Sequence, residues 1–590
     1  MSTIFFDETG YPEEAASLRS LRLLNEAEIV GLDLAAPAEA LAVLIGRRRA
    51  GKVTAVYPIL CDPLENLYGL VGASIASTAD HDQREEQSAA LRTDHLNVNG
   101  RRLSELGAHA QTQIDAGALA LRLADVVLIG APGERDRWNV LLTRPFRRFS
   151  LLPVPVDEPL VNVDESGVTI YAPATQEPQL AHYVMLLRRH RIDPHIICAT
   201  NADAAIGTRI VVAPEWRPMR ARTLAARGHH VVAPNTLRVD ECDSRIFGYL
   251  PTDYRSFLSA LDAARSATGG GARIPATAPS VAEAIEREAV RTLDGPPVSI
   301  IIRTFDRPEL LRRAVASVAS QTYRNVEIVV VNNGGNDVRD LVESAAGGRP
   351  FVYNRMPERK HISAASNVGA RAVTGCYVGY LDDDDLLYAD HCARTVEVLE
   401  RTGVDAAFTL CVAEYAEMNG DEKRTLGFQV YIDREFSLDD LYVSNVSPIH
   451  SIVHRRDVFD RFGYFDEELP VTDDWELWLR LASRGGTFVR IDRATCEYSW
   501  RYDPARGNMT IDHQWDFVHA YRKITERYAA DVQGRTTVRN AQLNLLALQE
   551  RRATDAADPA KRAGIVIGSM SVSLVPVSVS AELTERQWNP

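Results

Sequence analysis

Between positions 298 and 385 the chain alternates short apolar runs with amphipathic segments, and this alternation limits the fold more than any other feature. The runs are Val298–Phe305, Glu327–Asn332, Phe351–Arg355 and Tyr377–Leu381; helical periodicity falls near 308–320, 337–345 and 362–373. Strands separated by helices imply crossover units and a mostly parallel sheet. An open sheet of this kind binds ligands at the carboxyl ends of its strands. The residues ending each run are therefore the first to inspect: Arg303-Thr304-Phe305-Asp306, Asn332-Asn333, and the acidic series Asp382 to Asp385.

At 590 residues the chain exceeds what one core organises, so several domains are expected. The stretch SATGGGARIPATAPS, 266–280, has the composition of a linker. It divides an N-terminal α/β region (1–165) and a second α/β domain (166–265) from a linker and helix (266–295), a domain at 296–510, and a helical C-terminal segment with a tail (511–590). The runs at 124–132, 168–174, 195–200, 209–214 and 229–235 end in small or turn residues, as in doubly wound sheets.

Hydrophobic content of 45% and charged content of 25% fit folded globular protein. The net charge of −14 repels polyanions, so nucleic acid is not expected as a partner. The seven cysteines are scattered without a CxxC pair, the N-terminus lacks a basic-then-apolar leader, and no run reaches the ~18 apolar residues of a spanning helix. These features place the chain in the cytoplasm and leave peripheral attachment at the inner face of a membrane open. Gly564 to Ala581 alternates Val with Ser and reads as strand or tail.

Four adjacent carboxylates at the end of a buried strand need an offsetting charge. A divalent cation, Mg²⁺ or Mn²⁺, suits such hard oxygen ligands. A solvated acidic loop capping a helix near Leu386 is the other reading. Asp306 with Glu309, and Asp473 with Glu476, have capping-box spacing. His450 and His454 are read as lying on one face of a strand. Gly46 to Val53 nearly spells a P-loop, but valine replaces the Ser/Thr, leaving a basic turn. HExxH, GxSxG and GxGxxG are absent, so protease, esterase and dinucleotide oxidoreductase readings lack residues.

VSIIIRTFDRPELLRRAVASVASQTYRNVEIVVVNNGGND, then ISAASNVGARAVTGCYVGYLDDDDLLY, then FGYFDEELPVTDDWELWLRLASRG, follow the order and spacing of the glycosyltransferase family 2 enzymes, which this region resembles. The resemblance implies a GT-A type domain with a mixed, mostly parallel sheet that binds a nucleotide-sugar. It assigns Asp382 and Asp384 to metal and diphosphate, with Asp383 and Asp385 beside them. It lays Thr304, Phe305 and Asp306 against the nucleoside and sets Asn332-Asn333 where the family more often has two aspartates. It turns Asn367 toward the donor, brings Arg501 to the diphosphate, and makes Asp474 the general base. His450, Asp473 and Trp475 are expected along the acceptor cleft. Residues 166–265 resemble the nucleotide-binding half of GT-B glycosyltransferases, a Rossmann-like domain, with Glu215 at the first of two donor-binding positions but Thr223 at the second, a degenerate pattern.

The expected protein is thus a multidomain α/β enzyme: an inverting, metal-dependent glycosyltransferase moving a sugar from a nucleotide-sugar, UDP-sugar first, to a carbohydrate or other hydroxyl acceptor, in bacterial polysaccharide or glycoconjugate synthesis. Two alternatives stand beside it, a catalytically inactive scaffold or carbohydrate-binding subunit, and a nucleotidyltransferase.

Overall fold

The computed structural model describes residues 28–33, 37–52, 54–59, 97–98, 101–102, 115–131, 134, 150–151, 164–172, 177–198, 208–213, 218–234, 238–250, 254–268, 294–419, 422–431, 435–502, 513–557 and 575–576. They fall into two compact units, Met1–Ala40 with Val53–Val290, and Leu41–Lys52 with Arg291–Pro590.

The first unit holds two parallel sheets. One orders Glu28–Asp33, Thr54–Ile59, Val126–Ile129 and Ser150–Leu151; the other orders Ile246–Tyr249, His230–Pro234, Thr208–Val212, Asp164–Ala172 and His195–Cys198. The second sheet is buried on both faces, as parallel sheets require. Val211 and Val231 pack with Leu224 on one side, while Val212 and Val232 pack with Phe257 and Leu261 on the other. This is the α/β layering expected of 166–265. Thr223 is buried on helix Pro218–Ala226, whereas Glu215 and the helical piece expected within 266–295 lie outside the described residues.

In the second unit the elements run β1 (Val298–Thr304), α1 (Pro308–Ala319), β2 (Val326–Asn332), α2 (Arg339–Ala346), β3 (Phe351–Arg355), α3 (Ile362–Ala372), β4 (Tyr377–Asp382), β5 (Leu386–Leu387), α4 (His391–Thr402), β6 (Ala406–Asn419), β7 (Glu422–Tyr431), α5 (Leu438–Val443), β8 (Ile452–Arg455), α6 (Val458–Phe462), α7 (Asp473–Ser483), β9 (Phe488–Tyr502), α8 (Gln514–Arg527), α9 (Thr536–Ala556) and β10 (Val575–Pro576). The sheet order is β3-β2-β1-β4-β8-β6-β7-β10, with β9 pairing β5 and β6. Strands β1 to β4 are mutually parallel, β8 runs against β4 and β6, and β9 lies parallel to β6. The α/β class and the mixed, largely parallel sheet agree with expectation.

Alternate residues of the same strands feed two cores. Ile301, Val329, Val331 and Tyr380 belong to one, Ile300, Ile302, Val330 and Leu381 to the other. Helix α1 covers the second core with Leu311, Ala314, Val315 and Val318, the stripe of an amphipathic helix. At ~25 cal/mol per Å² of apolar surface, such packing holds the strand ends in place. The chemistry is hung on those ends.

Several local expectations need correction. No helix starts near Leu386; Leu386–Leu387 pairs with Glu497 and Cys496 of β9, and α4 begins at His391. His450 and His454 do not share a strand, because Ile449–Ser451 is a 3-10 turn and β8 begins after it. Neither capping box forms. Asp306 takes φ 51° and lies outside the helix, while Thr472, at φ 58°, precedes α7 and Asp473 is its first helical residue. The basic residues after Gly46 are not a turn but the end of helix Pro37–Arg49, and they belong to the second unit: Arg48 pairs with Asp390 at 2.7 Å, and Arg49 pairs with the buried Glu414 and Glu497.

Candidate active site

One buried arginine organises the strand ends. Arg303, the charged residue in the otherwise apolar β1, pairs with Asp382 at the end of β4 and lies 3.9 Å from Asp473 at the start of α7. Its second nitrogen donates to Ser366 Oγ at 2.9 Å. Two acidic clusters distant in sequence therefore flank one guanidinium. The Arg303 charge near the end of the apolar run VSIIIRT is the signal of this role in the sequence.

Along Asp382 to Asp385 exposure alternates with the strand period. The side chains of Asp382 and Asp384 keep 32% and 25% of their surface, against 7% for Asp383 and 1% for Asp385. Asp383 accepts from Thr304 Oγ1 at 2.8 Å and pairs with Arg307 at 3.2 Å. Asp384 pairs with Arg307 at 3.1 Å and with Arg501 of β9. Asp385 accepts from the Ser499 N–H at 2.7 Å and faces His450 Nδ1 at 3.0 Å. Burial opposes ionisation of Asp382, yet the Arg303 guanidinium outweighs it and holds the carboxyl below its ordinary range. Burial, reinforced by the Asp384 charge, pushes Asp383 up to about 7; burial pushes Asp385 up to about 6 against the pull of His450.

The acidic pair on α7 behaves differently. Asp473 is buried, and burial raises its carboxyl despite Arg303. Asp474 is partly buried; burial and then the neighbouring Asp473 charge push it up to about 7. The Trp475 N–H and Asn445 Nδ2 each donate to it at 2.8 Å and moderate the rise. A carboxylate near neutrality with an open side has the properties of a general base.

Thr304 ends β1 and Phe305 follows it, with the Arg359 guanidinium 4.2 Å over the Phe305 ring. Asp306 Oδ1 accepts from the backbone and side-chain nitrogens of Asn336, at 2.8 and 3.1 Å. The two asparagines bond to their own loops. Asn332 Oδ1 accepts from the Gly335 N–H at 2.8 Å, while its nitrogen donates to Asn336 O and to the Tyr353 hydroxyl. Asn333 exchanges bonds of 2.9 Å with the Lys360 backbone in both directions. Their amides tie together the loops at 333–336 and 358–360. Gly334, at φ 84°, is required there: a Cβ would stand 2.4 Å from the Glu358 and Arg359 backbone.

Three further candidates are engaged within the protein. Asn367 donates to Phe465 O and Glu467 Oε1 and accepts from the Phe465 N–H, so it pins the 465–467 loop. Trp475 is buried, donates to Leu441 O at 2.7 Å and stacks on Tyr521. His450 is 1% exposed between Asp385 and Cys411. Asn445 and Arg307, which touch the acidic groups, carried no recognisable signal in sequence.

For a divalent cation, Asp382 and Asp384 supply hard oxygens that remain reachable, and the residues fit such an ion. Their present partners are arginines, which also suit diphosphate oxygens.

Residues 299–462 match the family described as Glycosyl transferase family 2. An uncharacterized glycosyltransferase of Rickettsia typhi is 29% identical over 191 residues, 31% of this chain and 58% of that protein; the chain spans little more than half its length. Uncharacterized glycosyltransferase YwdF of Bacillus subtilis is 27% identical over 222 residues, 36% of this chain and 78% of that protein. Among solved structures, mannosyltransferase PcManGT from Pyrobaculum calidifontis, in complex with GDP-Man and Mn²⁺, has 18% identity and a TM-score of 0.34, covering 48% of this chain and 84% of that one. S. aureus TarS 1-349 in complex with UDP-GlcNAc has 18% identity and a TM-score of 0.31, covering 39% and 65%. Both likenesses are too slight to bear on function. With motif blocks in the family's order, a family model matching residues 299–462 and curated glycosyltransferases among the relatives, residues 299–462 of this chain form a glycosyltransferase family 2 domain.

Proposed function

We propose that the second unit transfers a sugar from a nucleotide-sugar to a hydroxyl acceptor with inversion, a UDP-sugar being the first donor to test and dTDP- and GDP-sugars the next. The observation that supports this reading is the placement of Asp382 and Asp473 around the single guanidinium of Arg303, which ties the acidic run to the start of α7, where Asp474 stands. Asp474 receives the acceptor hydroxyl proton as the oxygen attacks the anomeric carbon; the bond from that carbon to the diphosphate oxygen breaks, and the diphosphate leaves with the electron pair. Asp384, with Asp382, would hold Mn²⁺ or Mg²⁺, which supplies charge neutralisation to the leaving group. Arg307 and Arg501 are positioned to exchange their carboxylate partners for phosphate oxygens once a donor arrives.

The acceptor class, a carbohydrate or other hydroxyl compound in polysaccharide or glycoconjugate synthesis, belongs to the same proposal, as does a cytoplasmic setting at or near a membrane face. Among the described residues no helix is long and apolar enough to cross a membrane. The test is release of nucleoside diphosphate from a panel of UDP-, dTDP- and GDP-sugars with Mn²⁺ or Mg²⁺. Turnover is expected for wild type and not for Asp384→Ala. Equal turnover in both would remove Asp384 from the mechanism.

A further inference from the structure

We propose that Cys411, Cys496 and His450 form a buried site for a thiophilic d¹⁰ cation, Zn²⁺ in the first instance, which Asp385 joins to the acidic run through the His450 ring. Strands β6 and β9 are parallel neighbours, and their register sets Cys411 opposite Cys496. His450 reaches the same point from the turn before β8. Its Nε2 lies 3.3 Å from Cys411 Sγ, and the three ligand atoms all fall within 4.8 Å of one another. All three residues are at most 1% exposed. Zinc bonds of about 2.3 Å to sulfur and about 2.0–2.1 Å to nitrogen put two tetrahedral ligand atoms roughly 3.5 Å apart, so a slight opening of the observed 3.3 Å contact admits the ion.

A second observation points the same way. His450 Nδ1 and Asp385 Oδ2 are buried and 3.0 Å apart, yet neither makes a well-directed hydrogen bond. Metal-bound histidines characteristically donate their other ring N–H to a carboxylate, and a ring turned to ligate through Nε2 gives Asp385 that role. The thiols have weak alternatives, 3.6 Å contacts to the Val412 and Leu410 carbonyls and a 3.9 Å contact between Thr409 Oγ1 and Cys496 Sγ. A competing ligand set, Asp382, Asp385 and His450, also lies within 4.8 Å. It is the poorer candidate for a thiophilic ion, because it offers no sulfur and leaves both thiolates outside. Soft sulfur ligands select Zn²⁺ or Cu⁺ over the Mn²⁺ or Mg²⁺ suited to Asp384, so the two sites would hold different ions. The ion would clamp β6 to β9 and fix the Asp385 carboxylate, which in turn accepts from Ser499. Asp385 and His450 are positioning residues in this scheme.

The experiment is elemental analysis of the full chain, purified without chelator and dialysed. About one equivalent of zinc per chain is expected, retained in Asp384→Ala and lost in the Cys411→Ser/Cys496→Ser double variant. Should the double variant fail to fold, a mercurial titration of wild type replaces it: zinc release should track the reaction of two thiols, and Co²⁺-substituted protein should show thiolate-to-metal absorption. A small fraction of an equivalent after zinc reconstitution, or release uncoupled from thiol reaction, overturns the site. One equivalent of copper lost with the same cysteines would keep the site and overturn the choice of zinc. Because the readout is metal content, it stands or falls separately from transferase activity.

Discussion

Asp382 and Asp474 are carboxylates of neighbouring clusters within the field of one arginine, and they are driven in opposite directions. Asp382 makes the direct contact with Arg303 and is held ionised, whereas Asp474 has Asp473 between itself and the guanidinium and is pushed up to about 7. Residue type does not separate them. Distance to the positive charge does, because an adjacent opposite charge offsets desolvation and a like charge adds to it. Asp382 is thereby prepared for permanent negative charge, and the α7 pair for accepting a proton.

If that division is real, the two clusters should fail differently. Asp474→Asn should lower kcat by about 10²–10⁴-fold, the usual scale of general-base loss, while calorimetry finds nucleotide affinity unchanged. Asp384→Ala should lose metal-dependent nucleotide binding itself. Equal loss of binding in both variants would erase the contrast. The next largest effect tests the arginine. Arg303→Met leaves Asp382 and Asp473 without their shared partner and should cost about 3–5 kcal/mol by urea unfolding. Adding Asp382→Asn should recover part of that loss, and strict additivity would show that the pair is not coupled.

The pH dependence sharpens the comparison further. With Asp474 as base, kcat/KM should fall about tenfold per unit as pH drops below about 7, the value to which burial raises that group. Stability runs the other way. A carboxyl raised on folding binds more protons in the native state, so its contribution is present at low pH and is lost as pH rises from the ordinary carboxyl value through about 7. Asp474→Asn should therefore reduce the slope of stability between those limits, to which Asp383 and Asp385 also contribute, while abolishing the rate profile; an unchanged slope would place the titration elsewhere.

Much of the fold was legible because two periodicities recur without interruption: apolar runs at strand length, and helical stripes such as Leu311, Ala314, Val315 and Val318. The acidic run was legible as four adjacent letters. What the letters did not carry were relations set by tertiary register. Arg303 meets Asp473 across 170 positions, and Cys411 meets Cys496 only because β6 and β9 run parallel. Asn332 and Asn333 kept a site-like position but turn their amides into their own loops, a choice made by Gly334 and the 358–360 backbone. The capping readings at Asp306 and Asp473 failed for a local reason, since left-handed backbone at Asp306 and Thr472 swings each chain entry away from the cap geometry.

The smallest effect is the most specific test of why Asp474 titrates where it does. Asn445 Nδ2 is the side-chain donor to its carboxylate, and it favours the charged form. Asn445→Ala removes that bond and adds no charge. The limb of the pH–rate profile should then move upward by about one unit, equivalent to about 1.4 kcal/mol, while the plateau at high pH stays where it was. A lowered plateau with an unmoved limb would instead mean that Asn445 orients the acceptor. The base would then owe its position to α7 alone.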